Sequence, residues 1–167
     1  MKATTKKQRK GGYGSFRSDI DAEQEGVVLD YGPFRVTIAR AGGSNKAYER
    51  VLEALTKPYR RAIQLETLDA KVSEKIMKEA MAKAVILNWE VLVDADGLPD
   101  AEGQDWKQGL EHPDTGDLLP FSWENVMEVL QHKEIQNLYH DLRVQSGKEA
   151  LFLQTRREEE GNASNGS

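Results

Sequence analysis

Cysteine is absent from the 167-residue chain. Its absence excludes a disulfide framework, a thiol nucleophile and any metal centre with cysteine ligands. Aromatic residues make up only 7% of the sequence. No apolar run approaches the roughly 18–20 residues of a membrane span, and no apolar signal-peptide core follows the basic N-terminus. These absences favour a protein that stays in the cytoplasm where it is made and does not enter a membrane.

Common catalytic and nucleotide-binding motifs are missing as well. The chain contains no Gly-x-Ser-x-Gly elbow, no phosphate-loop Gly-Lys-Ser/Thr and no His-Glu-x-x-His. Neighbouring carboxylates such as Glu158–Glu160 lie in a charged run, without apolar neighbours that would raise a pKa for acid–base catalysis. The sequence therefore predicts a protein that is not an enzyme and has no cofactor.

The three histidines are the only imidazole ligands that could bind a metal ion. His132 and His140 are eight residues apart, which is about 12 Å along a helix and too far for both to reach one ion. His112 falls in a predicted loop, far from both in the sequence. On spacing alone, no metal site is predicted.

The charged residues are unevenly distributed. Their total is 31% and the net charge is −5, yet several basic residues precede the first acidic residue, Asp19. These are Lys2, Lys6, Lys7, Arg9, Lys10 and Arg17. We predict a disordered basic arm over residues 1–25, one domain over residues 26–155, and a disordered tail over residues 156–167. Nucleic-acid binding through the arm is possible in principle but is disfavoured, because short basic runs are weakly specific.

Hydrophobic periodicity predicts a mainly α fold with a small β element, in which a helical body is capped by a short N-terminal strand pair. The strands are expected at Val27–Leu29 and at Phe34–Ile38. A helix is expected to start at Ser44 or Asn45 and to end near Lys57, before Pro58. Residues 95–120 are predicted to form a long loop.

The clearest helix is predicted between Asp69 and Leu87, with apolar residues repeating at helical spacing along one stripe. Met77 and Met81 flank this stripe, where methionine serves either as core filler or as an adaptable binding surface. We considered Met77, Met81 and Phe152, which belongs to a predicted terminal helix, as candidate partner contacts.

The run from Gly109 to Asn125 reads GLEHPDTGDLLPFSWEN. It resembles the tail assembly chaperones of long-tailed bacteriophages, in which a helix ending in Trp leads through a Gly-containing turn to Pro-Phe-Ser/Thr-x-x-Asn and a second helix. The matching positions are Trp89, Gly97, Gly116, Pro120, Phe121, Ser122 and Asn125. Physically these residues describe a scaffold, since Pro120 and Phe121 would fix the helix entry while Ser122 and Asn125 satisfy its first donors.

The resemblance implies a protein of the host cell cytoplasm that is absent from the mature virion. It would bind and solubilise the tape measure protein and help recruit tail tube protein, as a monomer or a homo-oligomer. A virion structural component, such as a head–tail connector or minor tail protein, is the main alternative. A nucleic-acid-binding regulator is the less favoured one.

Overall fold

The computed structural model describes residues 12–153 and Arg156. The α-helices of this part are α1 (Ile20–Glu25), α2 (Lys46–Thr56), α3 (Arg60–Gln64), α4 (Ala70–Ala84), α5 (Trp123–Gln131) and α6 (Gln136–Gly147). The strands are β1 (Val27–Asp30), β2 (Phe34–Ile38), β3 (Ile86–Val93), β4 (Asp105–Gln108), β5 (Leu110–Glu111) and β6 (Leu118–Leu119). Short 3-10 helices occupy Gly14–Phe16, Lys57–Tyr59, Lys133–Ile135 and Glu149–Phe152.

Strands β1 to β4 form one antiparallel sheet in the order β1-β2-β3-β4, and β5 pairs with β6 in a separate hairpin. The expectation of a mainly α protein with a small β element is therefore wrong. The fold is mixed α+β, with a four-stranded sheet at its centre. The predicted pair β1 and β2 is confirmed, but it forms half of this sheet and not a cap on a helical body.

The error arose at the end of the long helix. Leu87 was assigned to the helical stripe and Asn88-Trp89 to the helix end, whereas α4 stops at Ala84 and all three residues belong to β3. Burial along β3 alternates from Trp89 onward, with Trp89, Val91 and Val93 inside. A period of two is the strand pattern, and it overrides the helical reading of Leu87.

Residues 95–120 do not form an unstructured loop. Strand β4 lies within this segment and adds the fourth strand to the sheet by pairing with β3. The hairpin of β5 and β6 follows, and Gly109 donates its backbone N–H to the carbonyl of Trp89 at 2.9 Å. The prediction failed because strands of two to four residues are too short to show a hydrophobic period.

Two helix starts are confirmed. The side chain of Asn45 accepts a hydrogen bond from the Tyr48 backbone N–H at the start of α2. The hydroxyl of Ser122 accepts one from the Asn125 backbone N–H at the start of α5. Each bond satisfies a donor that the first helical turn leaves free.

The main core lies between the sheet and the C-terminal half of α4, α5 and α6. Val36 and Ile38 from β2, Met81 from α4, Leu130 from α5 and Leu142 from α6 are fully buried there. Burying this many aliphatic side chains is the main stabilising contribution, at about 1.5–3 kcal/mol for each.

The predicted arm, residues 1–25, is partly folded. Helix α1 lies within it, and its Glu23 is 1% exposed, so the expectation of disorder is wrong for residues 20–25. Glu23 is held in place because its carboxylate accepts bonds from the Arg40 guanidinium at 3.0 Å and the Ser44 backbone N–H at 3.1 Å. Residues 1–11 of the arm lie outside the described part, as does all of the predicted tail except Arg156.

Candidate partner-binding surface

The Pro-Phe-Ser-x-x-Asn segment folds back on itself at the start of α5. Besides the cap from Ser122, the amide of Asn125 donates to the carbonyl of Pro120 at 2.8 Å, which closes the turn before the helix. Phe121 is half-buried and packs against the main core. Ser122 therefore caps α5 as predicted, whereas the Asn125 side chain satisfies the Pro120 carbonyl and not a donor of the first helical turn.

The other residues of the resembling pattern also lie in structural positions. Trp89 is 3% exposed in the centre of the sheet and stacks on Phe34, with 5.6 Å between ring centroids. Gly97 and Gly116 have φ values of 77° and 71° in two tight turns, a conformation that strongly favours glycine. These residues of the pattern therefore lie in the framework of the fold.

Two of the three candidate partner contacts are buried. Met81 is fully buried in the main core, and Phe152 is 1% exposed in a smaller core beside α1. Both are corrected to core residues, because neither can touch another protein in this conformation. Met77 is half-buried, and its sulfur accepts the Tyr48 hydroxyl at 3.6 Å, so it joins α4 to α2. Burial raises the pKa of Tyr48, which keeps this hydroxyl a donor.

The least buried part of the described chain is residues 46–75, which we call the helical hairpin. It comprises α2, the 3-10 helix at Lys57–Tyr59, α3 and the first part of α4. No side chain in it is buried, although buried residues stand immediately before it at Asn45 and after it at Ile76. The hairpin therefore extends from the body and is stabilised mainly by packing of α2 on α4.

The hairpin nevertheless carries large apolar side chains. Leu65 is 61% exposed, Ile63 42% and Tyr59 38%, all at the end farthest along the chain from both attachments to the body. Single exposed apolar residues are ordinary, but several on one small element make it a candidate docking surface. Sequence reasoning missed this surface because periodicity shows an apolar stripe without showing what covers it.

An open cleft of about 390 Å³ lies between α2 and α4 at the base of this apolar end. Leu55, Pro58 and Tyr59 form one wall, and Val72 and Ile76 form the other, with Lys75 and Glu79 at the edge. Apolar walls with a charged edge suit an apolar helix or an extended apolar segment.

A second open cleft, of about 710 Å³, adjoins the first at Glu79 and is lined mainly by α5. Glu79 of α4 lines both clefts, and Trp123 and Met127 of α5 line the second. Lys83 lies over the Trp123 ring, with its ammonium 4.3 Å from the centroid, so an exposed aromatic ring is held at this wall. The first cleft follows α4 from Val72 to Glu79, and the second extends from Glu79 along α5.

The charge of the helical hairpin differs from that of the whole chain. Seven basic and five acidic residues lie between Lys46 and Lys75, whereas the chain as a whole has a net charge of −5. Lys57, Arg60 and Arg61 surround its apolar end, and Arg60 makes only a long ion pair of 3.8 Å, with Glu53. The helical hairpin is therefore basic, with its exposed apolar side chains close in sequence to Lys57, Arg60 and Arg61.

Two histidines that are distant in the sequence contact each other in the structure. His112 from the turn after β5 and His132 from the end of α5 have ring centroids 5.5 Å apart. Asp114 lies beside them, and its carboxylate is 3.8 Å from His132 Nδ1. Only the tertiary fold joins these residues, since 20 positions separate the histidines in the chain.

Among the described helices, none is both long enough and apolar enough to cross a membrane.

A protein-family model described as YdaY prophage protein matches residues 43–102 of this chain. The matched segment contains the whole helical hairpin, the rest of α4 and strand β3. The similarity indicates a protein of phage origin. No curated protein and no solved structure matches the chain.

Proposed function

We propose that this phage-derived protein is a tail assembly chaperone that binds and solubilises the tape measure protein and helps recruit tail tube subunits. The observation that carries the proposal is the helical hairpin, in which 30 successive residues include no buried side chain while Ile63 and Leu65 are exposed at its end. A soluble protein retains such a surface when another chain covers it.

The geometry of the clefts favours a helical occupant. One cleft lies along α4 and the other along α5, they meet at Glu79, and their apolar walls include Val72, Ile76, Met127 and Trp123. An amphipathic helix in such a groove would place apolar residues at every third or fourth position against these walls. A long tape measure protein is an apolar helical chain of this kind, and it aggregates when its stripe is uncovered.

The framework adds a second line of support. The sequence around α5 resembles the phage tail assembly chaperones, and the cap that Ser122 makes at the start of α5 supports that resemblance. Since no phosphate-binding motif occurs in the sequence, we expect passive holding that requires no nucleotide. The protein would act in the host cell cytoplasm and be absent from the mature virion.

Co-expression with the tape measure protein of the same phage tests the proposal. We expect the tape measure protein to move from the insoluble to the soluble fraction and to copurify with the chain. Binding should persist in chelator and in moderate salt, because apolar contacts are screened far less than exposed ion pairs. A tape measure protein that stays insoluble and unbound, together with tail tube protein that also fails to bind, would contradict the proposal.

Variants of the helical hairpin locate the contact. The double variant Ile63→Ser, Leu65→Ser should weaken binding by about tenfold or more, as expected when two apolar anchors are lost. Gln64→Ser, at the exposed position between them, is the matched control on the same helix. Val144→Ser removes an apolar side chain that is 41% exposed on α6, and it should leave binding unchanged.

The virion structural alternative predicts a different result. Mass spectrometry of purified phage particles should find the chain at the copy number of a structural protein if that alternative is correct. We expect the chain to be absent from particles and present in lysates, as the chaperone proposal requires.

A further inference from the structure

We propose that His112, Asp114 and His132 bind a divalent transition-metal ion of the zinc type, with Glu128 completing the site. One ligand atom from each of the first three residues lies within 4.8 Å of the other two. Imidazole nitrogen and carboxylate oxygen are the ligands that zinc accepts where cysteine is absent. This inference does not depend on the proposed chaperone function.

The site is assembled from two different elements. His112 and Asp114 belong to the turn between β5 and β6, whereas Glu128 and His132 belong to the last turn and C-terminal cap of α5. The negative end of the α5 dipole therefore faces the ion, which favours a cation at this place. The helix end alone would not define a site, but His112, Asp114 and His132 offer ligand atoms within 4.8 Å of one another there, and Glu128 lies beside His112.

The distances suit tetrahedral coordination after a small closure. His112 Nε2 lies 3.4 Å from Glu128 Oε1, and His132 Nδ1 lies 3.8 Å from Asp114 Oδ2. Ligand atoms around a tetrahedral zinc ion are about 3.4 Å apart when the metal–ligand distances are near 2.1 Å. These two pairs already have nearly this separation, and the ligand atoms of His112, Asp114 and His132 all lie within 4.8 Å of one another.

The two imidazoles are partly shielded and the two carboxylates are accessible. The side chains of His112 and His132 are 16% and 26% exposed, whereas those of Glu128 and Asp114 are 58% and 65% exposed. An ion can therefore enter from the open cleft beside α5, which His132 and Glu128 line. The two carboxylates balance the charge of a divalent ion.

Binding of the ion should change the turn that carries His112. In the structure, His112 Nδ1 accepts the backbone N–H groups of Asp114 at 3.1 Å and Thr115 at 3.3 Å. A neutral ring that accepts at Nδ1 carries its proton on Nε2, toward Glu128. When Nε2 coordinates the ion, the proton of the neutral ring moves to Nδ1. Nδ1 then no longer accepts the two backbone N–H groups, so both hydrogen bonds are lost and the turn rearranges.

Calorimetric titration of the full chain, free of any histidine tag, with zinc chloride is the test. We expect one ion per chain, and at least about a tenfold loss of affinity in His132→Ala, which removes the ligand at the end of α5 and leaves the sequence of the turn that carries His112 and Asp114 unchanged. His140→Ala is the matched control, because His140 is exposed on α6 and outside the cluster. Equal affinities for wild type and His132→Ala would overturn the proposal, as would equal losses in both variants.

Two further measurements keep the test independent of folding defects. The amide resonances of Asp114 and Thr115 should shift on zinc addition in heteronuclear NMR spectra, while amides of the helical hairpin should not. Asp114→Asn should weaken zinc binding and leave the thermal melt of the metal-free protein unchanged. Zinc-induced shifts confined to other residues would show adventitious surface binding and would contradict the site.

Discussion

The body and the helical hairpin use the same kinds of apolar residue in opposite ways. In the body, Val36, Leu130 and Leu142 are fully buried between the sheet and helices α4 to α6. In the hairpin, Ile63 and Leu65 are 42% and 61% exposed, although the hairpin is also helical and amphipathic. Apolar side chains therefore stabilise the core in the body, whereas in the helical hairpin some of them remain exposed to solvent.

Helix α4 connects the two regions. Its first turns belong to the hairpin and contain no buried side chain, and its last turns bury Met81 and Ala84 against the sheet. A partner seated along α4 would therefore touch a helix whose far end is fixed in the core. A fixed helix loses little conformational freedom on binding, which lowers the entropic cost of the complex.

The largest expected effect is loss of stability from a change in the body. Trp89→Ala should lower the free energy of unfolding by about 3–5 kcal/mol, because it removes a buried ring that stacks on Phe34 in the centre of the sheet. Urea unfolding followed by circular dichroism measures it. Trp123→Ala is the matched control, since Trp123 is 38% exposed and should cost less than about 1 kcal/mol.

If the two tryptophan variants were equally destabilised, the distinction between body and surface would fail at α5. If neither were destabilised, the burial of Trp89 against the sheet would be contradicted.

The next largest effect concerns α1, which joins the body through a buried ion pair. Glu23→Gln should cost about 2 kcal/mol, because Arg40 and the Ser44 backbone N–H both lose a charged acceptor that is 1% exposed. Glu149→Gln is the control, since Glu149 pairs with the same Arg40 but its side chain is 80% exposed. Thermal melts of the two variants that overlap would contradict a structural role for α1.

The sequence predicted those parts of the fold in which local signals agree. Asn45 and Ser122 cap their helices as expected, because a cap depends on residues only two or three positions away. The β1–β2 pair was found for the same reason, through alternation within one short segment. Local chemistry of this kind can be read without knowing the fold.

The parts that failed depend on distant residues. Strand β4 lies within the segment that was predicted as a loop, and it pairs with β3. His112 contacts His132 only because the β5–β6 turn packs beside the end of α5. Met81 was considered a partner contact, but the sheet covers it. Periodicity distinguishes an apolar face from a polar one, whereas only tertiary packing decides whether that face is buried.

A smaller effect is expected where the β1–β2 turn meets α6. Tyr31→Phe should cost about 1 kcal/mol, because it removes the hydroxyl that donates to Asp141 at 2.6 Å in a half-buried place. Tyr59→Phe, on the exposed end of the hairpin, is the control and should change stability very little. The comparison is made by urea unfolding at neutral pH.

The difference in stability between wild type and Tyr31→Phe should depend on pH with a definite sign. Burial, and then the hydrogen bond to Asp141 and its charge, raise the pKa of Tyr31 above the ordinary value of 10.0. The folded state therefore keeps this proton after the unfolded chain has lost it. The stabilisation is complete below pH 10 and is lost as the pH rises further, so wild type should lose stability relative to Tyr31→Phe in that range. Parallel plots of unfolding free energy against pH for wild type and Tyr31→Phe would contradict the half-buried hydrogen bond to Asp141.

The smallest effect on stability is expected in the helical hairpin. Ile63→Ser and Leu65→Ser should each change the free energy of unfolding by less than about 1 kcal/mol, because the side chains are 42% and 61% exposed and neither lies in the core. Urea unfolding of the two variants, beside Gln64→Ser, measures this. If the variants keep the stability of the wild type but bind the partner more weakly, these two side chains serve binding and not folding. A loss of more than about 2 kcal/mol would instead show that these side chains hold the hairpin together, and the apolar end would no longer support a binding surface.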